Sequence, residues 1–383
     1  MLSKSPWRAA VVAFALGQAA LAVEIPQPSG PYGIGVRKHV IDLLTTDDPF
    51  APGNISTGIL ATIYYPTLKK PCGAPKPYLD PGMARLWEAS LNYTAGTLTS
   101  LTSNLQLHAP YAPPPFPSST FPTLVFGPGG GGPPVEAYTI MISEMVSNGF
   151  VTVGLDHPYE QPFLRWPNGT AVYGEDATAE WDLALATAVY QIRIREILRL
   201  VEVWPALVAG ELGGAPFATT GLGAFGHSIG GASPMGAALR LAPEKLAAVI
   251  NMDGSLFADD PPSGSLDAKR PLLFFGAYYH GADGIDETWK TFPDAQTGWW
   301  RRILVNGTSH LDFSDLTFWK TLGGEGPKLG SIEGLRMISV YNEFIRAFFN
   351  QTILGMEEEV LNYIGPEWPE VWIDGGINGT QAL

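Results

Sequence analysis

The chain is poor in cysteine, charge and histidine, and each scarcity excludes a class of protein. Its 383 residues include one cysteine, Cys72, so the chain can form neither an internal disulfide nor a cysteine-rich zinc site. Only 16% of the residues are charged, and the net charge of -14 argues against binding to nucleic acid or electrostatic docking on an anionic membrane. After the N-terminus, no apolar run reaches the ~20 residues of a transmembrane helix.

The first 22 residues have the pattern of a secretory signal peptide. Lys4 and Arg8 form a basic region, a small-residue apolar run follows at 9–20, and residues 20–22 fit an A-x-A cleavage site. We expect a secreted, extracellular protein that begins at Val23, because the apolar run is short for a membrane anchor. Six N-x-S/T sequons support export and are candidate glycosylation sites. They are Asn54, Asn92, Asn168, Asn306, Asn350 and Asn378.

The hydrophobic content of 45% is enough for one large core, and no linker divides the chain. Short apolar runs alternate with amphipathic segments. This alternation predicts an α/β fold with a mostly parallel central sheet and helices on both faces. We expect the main domain at residues 23–350, with a Pro-rich insertion or cap at 67–119 and a C-terminal tail at 351–383 that is irregular from residue 365 onward.

Residues 226–231 contain a G-x-S-x-G motif and read Gly-His-Ser-Ile-Gly-Gly. An apolar run precedes the motif and a segment compatible with a helix follows it, so Ser228 lies on a predicted strand-to-helix turn. Such a nucleophile elbow is typical of the α/β-hydrolase fold. The chain has 44 glycines, so a chance match is the alternative. An acid and a histidine, Asp253 and His310, follow in the expected order.

His310 is the predicted general base because it follows a late strand, in a loop that can bring its ring to the serine. His227 is adjacent to the serine and is expected to point away from it. Asp253, at the end of the strand after the elbow helix, is the predicted acid. Position alone leaves Asp283 as a rival and Asp286 as a weaker one.

A glycine-rich run at residues 127–132 follows a predicted strand. It lacks the Lys-Ser/Thr of a phosphate loop, and it is a weak match to a dinucleotide fingerprint. As an oxyanion loop it fits, because this fold places a backbone donor there. We assign the donors to the amides of Gly130 and Ile229. The hydrolytic chemistry needs no metal and no organic cofactor, so none is expected.

Several segments together resemble the secreted platelet-activating factor acetylhydrolases, which are serine esterases of the α/β-hydrolase fold. The similar segments read FPTLVFGPGGGG, GFVTVGLDHPYE, QIRIREI, GHSIGG, NMDGS, RPLLFFGAYY and GTSHLDFSDLTF. The resemblance covers roughly residues 35–349. It favours Asp253 over Asp283 as the acid. The sequons and the signal would suit a fungal-type member.

The resemblance implies calcium-independent hydrolysis of the sn-2 acetyl or short acyl ester of a phospholipid. The chain departs from the family at Pro128, which stands where the oxyanion loop usually has a histidine. The alternative within the same class is a general carboxylesterase, or a cutinase or polyester hydrolase. The alternative from another class is a non-catalytic binding protein with a hydrolase-like fold. Trp299 and Trp300, or the aromatic residues of the cap, are candidates for contact with a lipid interface, and the sequence predicts no oligomeric state.

Overall fold

The computed structural model describes residues 23–71, 74–116, 119–174, 181–257, 260–281, 284, 286–323 and 326–378. Within these residues the strands are β1 Val23–Glu24, β2 Gly33–Thr45, β3 Ser56–Thr67, β4 Lys76–Pro77, β5 Leu101–Ser103, β6 Gln106–Leu107, β7 Thr123–Gly127, β8 Val151–Asp156, β9 Phe163–Arg165, β10 Ala171–Tyr173, β11 Leu222–His227, β12 Leu246–Met252, β13 Leu272–Ala277, β14 Trp300–Val305 and β15 Val371–Ile377. The α-helices are α1 Pro81–Ser90, α2 Thr139–Ser147, α3 Leu183–Ala209, α4 Ile229–Ala238, α5 Thr288–Asp294, α6 Leu316–Trp319 and α7 Gly334–Leu354.

The central sheet has ten strands in the order β15-β14-β13-β12-β11-β7-β8-β3-β2-β6. The six strands from β14 to β8 pair in parallel, whereas β3 pairs antiparallel with β8 and β2, and β15 pairs antiparallel with β14. The parallel strands are buried on both faces, which is why they read as continuous apolar runs. This mixed sheet is that of an α/β-hydrolase fold, as predicted.

Two hydrophobic clusters cover the two faces of the sheet. One contains the apolar side chains of α2 and α7, and the other contains those of α3, α4 and α5. The helix α3 begins after Asp182, whose carboxylate accepts a hydrogen bond from the N–H of Leu185 at 2.7 Å and so caps the helix.

The Pro-rich insertion has secondary structure of its own. It contains α1 and the strands β4 and β5, which form a small sheet with β1. Trp87 of α1 packs against Trp319 of α6 with ring centroids 5.8 Å apart. The hydroxyl of Tyr78 donates to Asp315 at 2.8 Å. These contacts anchor the insertion beside α6, on the face of the sheet that α2 and α7 cover.

The irregular tail expected at the C-terminus is wrong for Val371–Ile377, which forms the edge strand β15. The segment includes Gly375 and Gly376, which weaken the strand pattern in the sequence. Pairing with β14 and an ion pair between Arg302 and Asp374 at 2.6 Å hold it in the sheet. Tertiary contacts therefore decide its conformation.

Trp299 and Trp300 are both buried, so they are not available for contact with a lipid interface. Trp299 packs against Phe348 of α7, and Trp300 packs against Phe274 of β13. The expected signal peptide at 1–22 and Cys72 lie outside the described residues. No helix in the described part of the chain is both long and apolar enough to cross a membrane.

Candidate active site

Ser228 lies on a sharp turn between β11 and α4. Its backbone has φ 58° and ψ -131°, a strained conformation for a residue with a side chain. The turn is also crowded, because a Cβ at Gly226 would lie 2.1 Å from the carbonyl oxygen of Gly230. The N–H of Ser228 donates to the carbonyl of Met252 at 2.8 Å. The elbow therefore rests against the end of β12, one residue before the predicted acid.

Asp253 and His310 are brought together although 57 residues separate them. Asp253 directly follows β12 and is fully buried, and His310 begins a 3-10 helix, His310–Phe313. The Nδ1 of His310 lies 2.6 Å from Oδ2 of Asp253 and donates to it, because an ionised carboxylate only accepts. The Nε2 of the neutral ring then keeps its lone pair. The rival Asp283 lies outside the described residues.

Three further donors contact the Asp253 carboxylate. The N–H of Ala277 donates to Oδ1 at 2.7 Å and the hydroxyl of Tyr279 donates to Oδ2 at 2.6 Å, while Nε2 of His280 lies 3.3 Å from Oδ1. Burial alone would raise the pKa of Asp253, but the contacts with His280 and His310 hold it well below its usual range. The carboxylate is therefore charged at neutral pH.

The loop that carries His310 is fixed by Asp312. The Asp312 carboxylate accepts hydrogen bonds from the N–H groups of Ser309 at 2.8 Å and Gly330 at 2.7 Å. It also pairs with Lys320 at 2.6 Å. Because Asp312 is fully buried, these contacts hold the start of the 3-10 helix, and with it the backbone of His310.

The glycine-rich loop lies against the start of α4, since a Cβ at Gly130 would lie 3.1 Å from Cγ2 of Ile229. Ile229 is the first residue of α4, so its N–H has no acceptor within the helix. In the glycine-rich loop, the N–H of Gly129 donates to the hydroxyl of Tyr138 at 3.0 Å, and that of Gly131 donates to Glu160 at 3.1 Å. Within the described part of the chain, the N–H of Gly130 between them has no acceptor. Neither predicted oxyanion N–H therefore has an acceptor among the described residues, and their role stays a prediction.

A buried ion pair holds this loop from behind. Arg193 of α3 donates to the carbonyls of Pro128 and Gly129, the latter at 3.1 Å. It also pairs with Glu160, with 3.1 Å between Nε and Oε2, and Glu160 in turn accepts from Gly131. This pair was not predicted from the sequence. A signal was present, since charged residues crowd the otherwise apolar helix at 191–196.

His227, which was expected to point away from the elbow serine, connects two loops of the site. Its Nε2 lies 2.7 Å from the carbonyl of His310 and donates to it, so Nδ1 accepts from the hydroxyl of Tyr138 at 2.9 Å. Burial, together with the positive charge that His310 can carry, lowers the pKa of His227 to about 3. The ring is therefore neutral, and it links the histidine loop through Tyr138 to Gly129.

The sequons differ in exposure. Asn54, Asn92, Asn168, Asn306 and Asn378 are exposed. Asn350 is buried in α7, and its Nδ2 donates to Glu358 at 2.7 Å. A glycan on that nitrogen would displace packed side chains, so the structure argues against the candidate site at Asn350.

Comparison with known proteins adds two relatives, while no protein-family model matches the chain. A protein of Arthroderma benhamiae named probable 1-alkyl-2-acetylglycerophosphocholine esterase is 22% identical over 374 residues, which span 91% of this chain and 92% of that protein. A solved structure, ferulic acid esterase from Streptomyces cinnamoneus, matches with a TM-score of 0.75 and 25% identity over 92% of this chain and 99% of the other.

Both relatives are esterases by name, and both match along nearly the whole chain. The protein is therefore a carboxylic ester hydrolase of the α/β-hydrolase fold, and its substrates are esters. The relative from Arthroderma benhamiae carries the name of a platelet-activating factor acetylhydrolase activity, so the resemblance found in the sequence is confirmed at that level. Among the described residues, no group of three or more His, Cys, Asp or Glu side chains is placed to hold a metal ion.

Proposed function

We propose that the protein is a secreted serine esterase that hydrolyses the sn-2 acetyl or short acyl ester of phospholipids such as platelet-activating factor. The observation that carries the serine mechanism is the 2.6 Å contact between His310 and Asp253 beside the strained turn at Ser228. A strained nucleophile, a base and an orienting acid are what covalent hydrolysis of an ester requires.

In the proposed reaction, Oγ of Ser228 attacks the ester carbonyl while Nε2 of His310 takes the hydroxyl proton. Asp253 stabilises the imidazolium that forms. The N–H groups of Gly130 and Ile229 stabilise the tetrahedral oxyanion. The imidazolium then gives its proton to the departing alcohol, here the lysophospholipid, and the acyl group stays on the serine. Water, deprotonated by the same histidine, attacks the acyl-enzyme, and the imidazolium returns that proton to Oγ of Ser228 as the acid departs.

The name of the relative from Arthroderma benhamiae supports the choice of a phospholipid substrate. The signal pattern at 1–22 supports an extracellular enzyme, in which exposed sequons carry glycans. Calcium is not required in this proposal, because the side chains of the triad supply the nucleophile and the base, and backbone N–H groups supply the oxyanion contacts.

The solved relative favours a second candidate substrate, an ester of an aromatic acid, since that protein is named a ferulic acid esterase. This candidate is a form of the general carboxylesterase alternative. A cutin or polyester substrate belongs to the same chemistry. All three use the same serine and differ in the acyl pocket and the leaving group.

The decisive experiment measures acid release from three substrates with EDTA present: a 2-acetyl ether phosphocholine, p-nitrophenyl butyrate and methyl ferulate. We expect hydrolysis of the phospholipid and of the nitrophenyl ester, and Ser228→Ala should lower kcat by at least about four orders of magnitude. Hydrolysis of methyl ferulate without the phospholipid would replace the phospholipid proposal with the aromatic ester. A protein that hydrolyses none of them, and whose Ser228 no fluorophosphonate labels, would be a non-catalytic binding protein.

A further inference from the structure

A second histidine contacts the carboxylate that holds His310. His280 ends the 3-10 helix Tyr278–His280 that follows β13, and its side chain is 5% exposed. Its Nε2 lies 3.3 Å from Oδ1 of Asp253, and its Nδ1 lies 3.5 Å from Oδ2 of Asp286. The ring also stacks on Trp289, with centroids 4.1 Å apart and planes at 18°. The imidazole thus lies between two carboxylates at ion-pair distances, although its Nδ1 makes no hydrogen bond among the described residues.

The position of His280 between two carboxylates favours the protonated, positively charged form of its ring. A neutral imidazole has one N–H, so it would turn a lone pair toward one of the two carboxylates, whereas an imidazolium presents a donor to each. Burial alone would lower the pKa of His280, but the contacts with Asp253 and Asp286 raise it to about 9. Geometry and proton affinity therefore agree that the ring is charged at neutral pH.

The other charged groups nearby have partners of their own. Asp286 also accepts from the hydroxyls of Ser255 and Thr288, each at 2.6 Å. On the side of β15, Asp374 lies beyond Gly281 and pairs with Arg302 at 2.6 Å. The phenol of Tyr279 faces the other oxygen of Asp253. Among the described residues, His280 is the cation placed against the acid of the triad on the side away from His310.

We propose that His280 is a positioning residue for ester hydrolysis. As an imidazolium between Asp253 and Asp286, it orients the carboxylate of Asp253. Its positive charge also offsets part of the negative field of that carboxylate at His310. This inference rests on the proposed function. The inference predicts the direction in which the pH profile of hydrolysis depends on His280. A carboxylate shared with a second cation holds the proton of His310 less tightly, so His310 becomes the neutral base at a lower pH than it would beside an unshared carboxylate.

The test is the pH dependence of kcat/KM for p-nitrophenyl butyrate, together with that of the rate at which a fluorophosphonate labels Ser228. In His280→Gln, the side-chain amide keeps a donor toward Asp253 but removes the charge. We expect the acid limb of both profiles to move to higher pH by about 0.5 to 1 unit. His280→Phe keeps a ring against Trp289 and should move the limb in the same direction, with a larger loss on the plateau.

A matched control is His39→Gln, which removes a half-buried histidine on β2 that pairs with Glu211 at 3.1 Å. Its profile should coincide with that of the wild type. A lower plateau with an unmoved acid limb, or a limb that moves to lower pH in both His280 variants, would overturn the inference and leave the esterase intact. A wild-type protein that neither hydrolyses esters nor is labelled would instead refute the proposed function.

Discussion

The two sides of Ser228 are built from different kinds of interaction. On the proposed oxyanion side, a glycine-rich loop packs against the start of α4, and the charges behind the loop, Arg193 and Glu160, are paired with each other. On the acid–base side, titratable side chains contact one another directly, with Asp253 against both His310 and His280. One side consists of backbone dipoles supported by an ion pair, and the other consists of titratable side chains that contact one another directly.

The difference follows from what each side has to do. A dipole stabilises a developing oxyanion only if its position is fixed before the reaction. A general base needs a proton affinity matched to the working pH as well as a position. Disturbing the oxyanion side should therefore lower kcat equally at every pH, whereas disturbing the acid–base side should also move the pH profile.

The largest effect in this comparison is expected for Asp253→Asn. The amide cannot stabilise the imidazolium, and its NH2 group would favour the tautomer of His310 that carries the proton on Nε2. We expect kcat/KM near neutral pH to fall by about four orders of magnitude. Asp42→Asn, an exposed carboxylate on β2, is the control and should match the wild type. A loss below tenfold would transfer the role to another acid, with Asp283 the first to test.

For Arg193→Met we expect a smaller loss of activity and no shift in the pH profile of hydrolysis. The variant removes the donors to the carbonyls of Pro128 and Gly129, so the N–H of Gly130 is no longer held in place. We expect kcat to fall by about 10² to 10³-fold, as for the loss of an oxyanion donor. The free energy of unfolding should fall by about 3 to 5 kcal/mol, because Glu160 is left buried without its cation.

The double variant Arg193→Met/Glu160→Gln separates stability from activity. The glutamine is neutral and keeps an oxygen for the N–H of Gly131, so most of the stability should return in a denaturant titration. The activity should stay low, since the two loop carbonyls still lack their donor. An Arg193→Met protein with an unchanged plateau and a displaced acid limb would contradict the division between the two sides.

The sequence predicted the parts of this site that follow from local pattern. The elbow at Ser228 combines an apolar strand, glycines at a crowded turn and a helix, and Asp253 directly follows β12, the strand after the elbow helix, as expected. In a parallel sheet, the residues that follow neighbouring strands meet at one edge, so Asp253 after β12 and His310 after β14 share that edge.

The parts that sequence reasoning missed depend on which elements become neighbours. His280 follows β13, the strand beside β12, and nothing in the local sequence marks it as a partner of Asp253. Arg193 was visible as a charge in an apolar helix, yet nothing local shows that it contacts the glycine-rich loop 65 residues earlier. Likewise β15 depends on its pairing with β14, which its two glycines do not predict.

The smallest effects are expected when the hydroxyl of a tyrosine is removed on either side: Tyr138 beside the glycine-rich loop, and Tyr279 beside Asp253. Tyr138→Phe leaves the buried N–H of Gly129 without its acceptor, which should lower kcat about tenfold at every pH.

Tyr279→Phe removes a donor from Oδ2 of Asp253, so the carboxylate attracts the proton of His310 more strongly. Its acid limb should move to higher pH by a few tenths of a unit, with a plateau within about threefold of the wild type. Complete pH profiles of both variants decide the matter. If Tyr138→Phe moves the limb and Tyr279→Phe changes only the plateau, the assignment of fixed dipoles to one side and tuned proton affinity to the other is reversed.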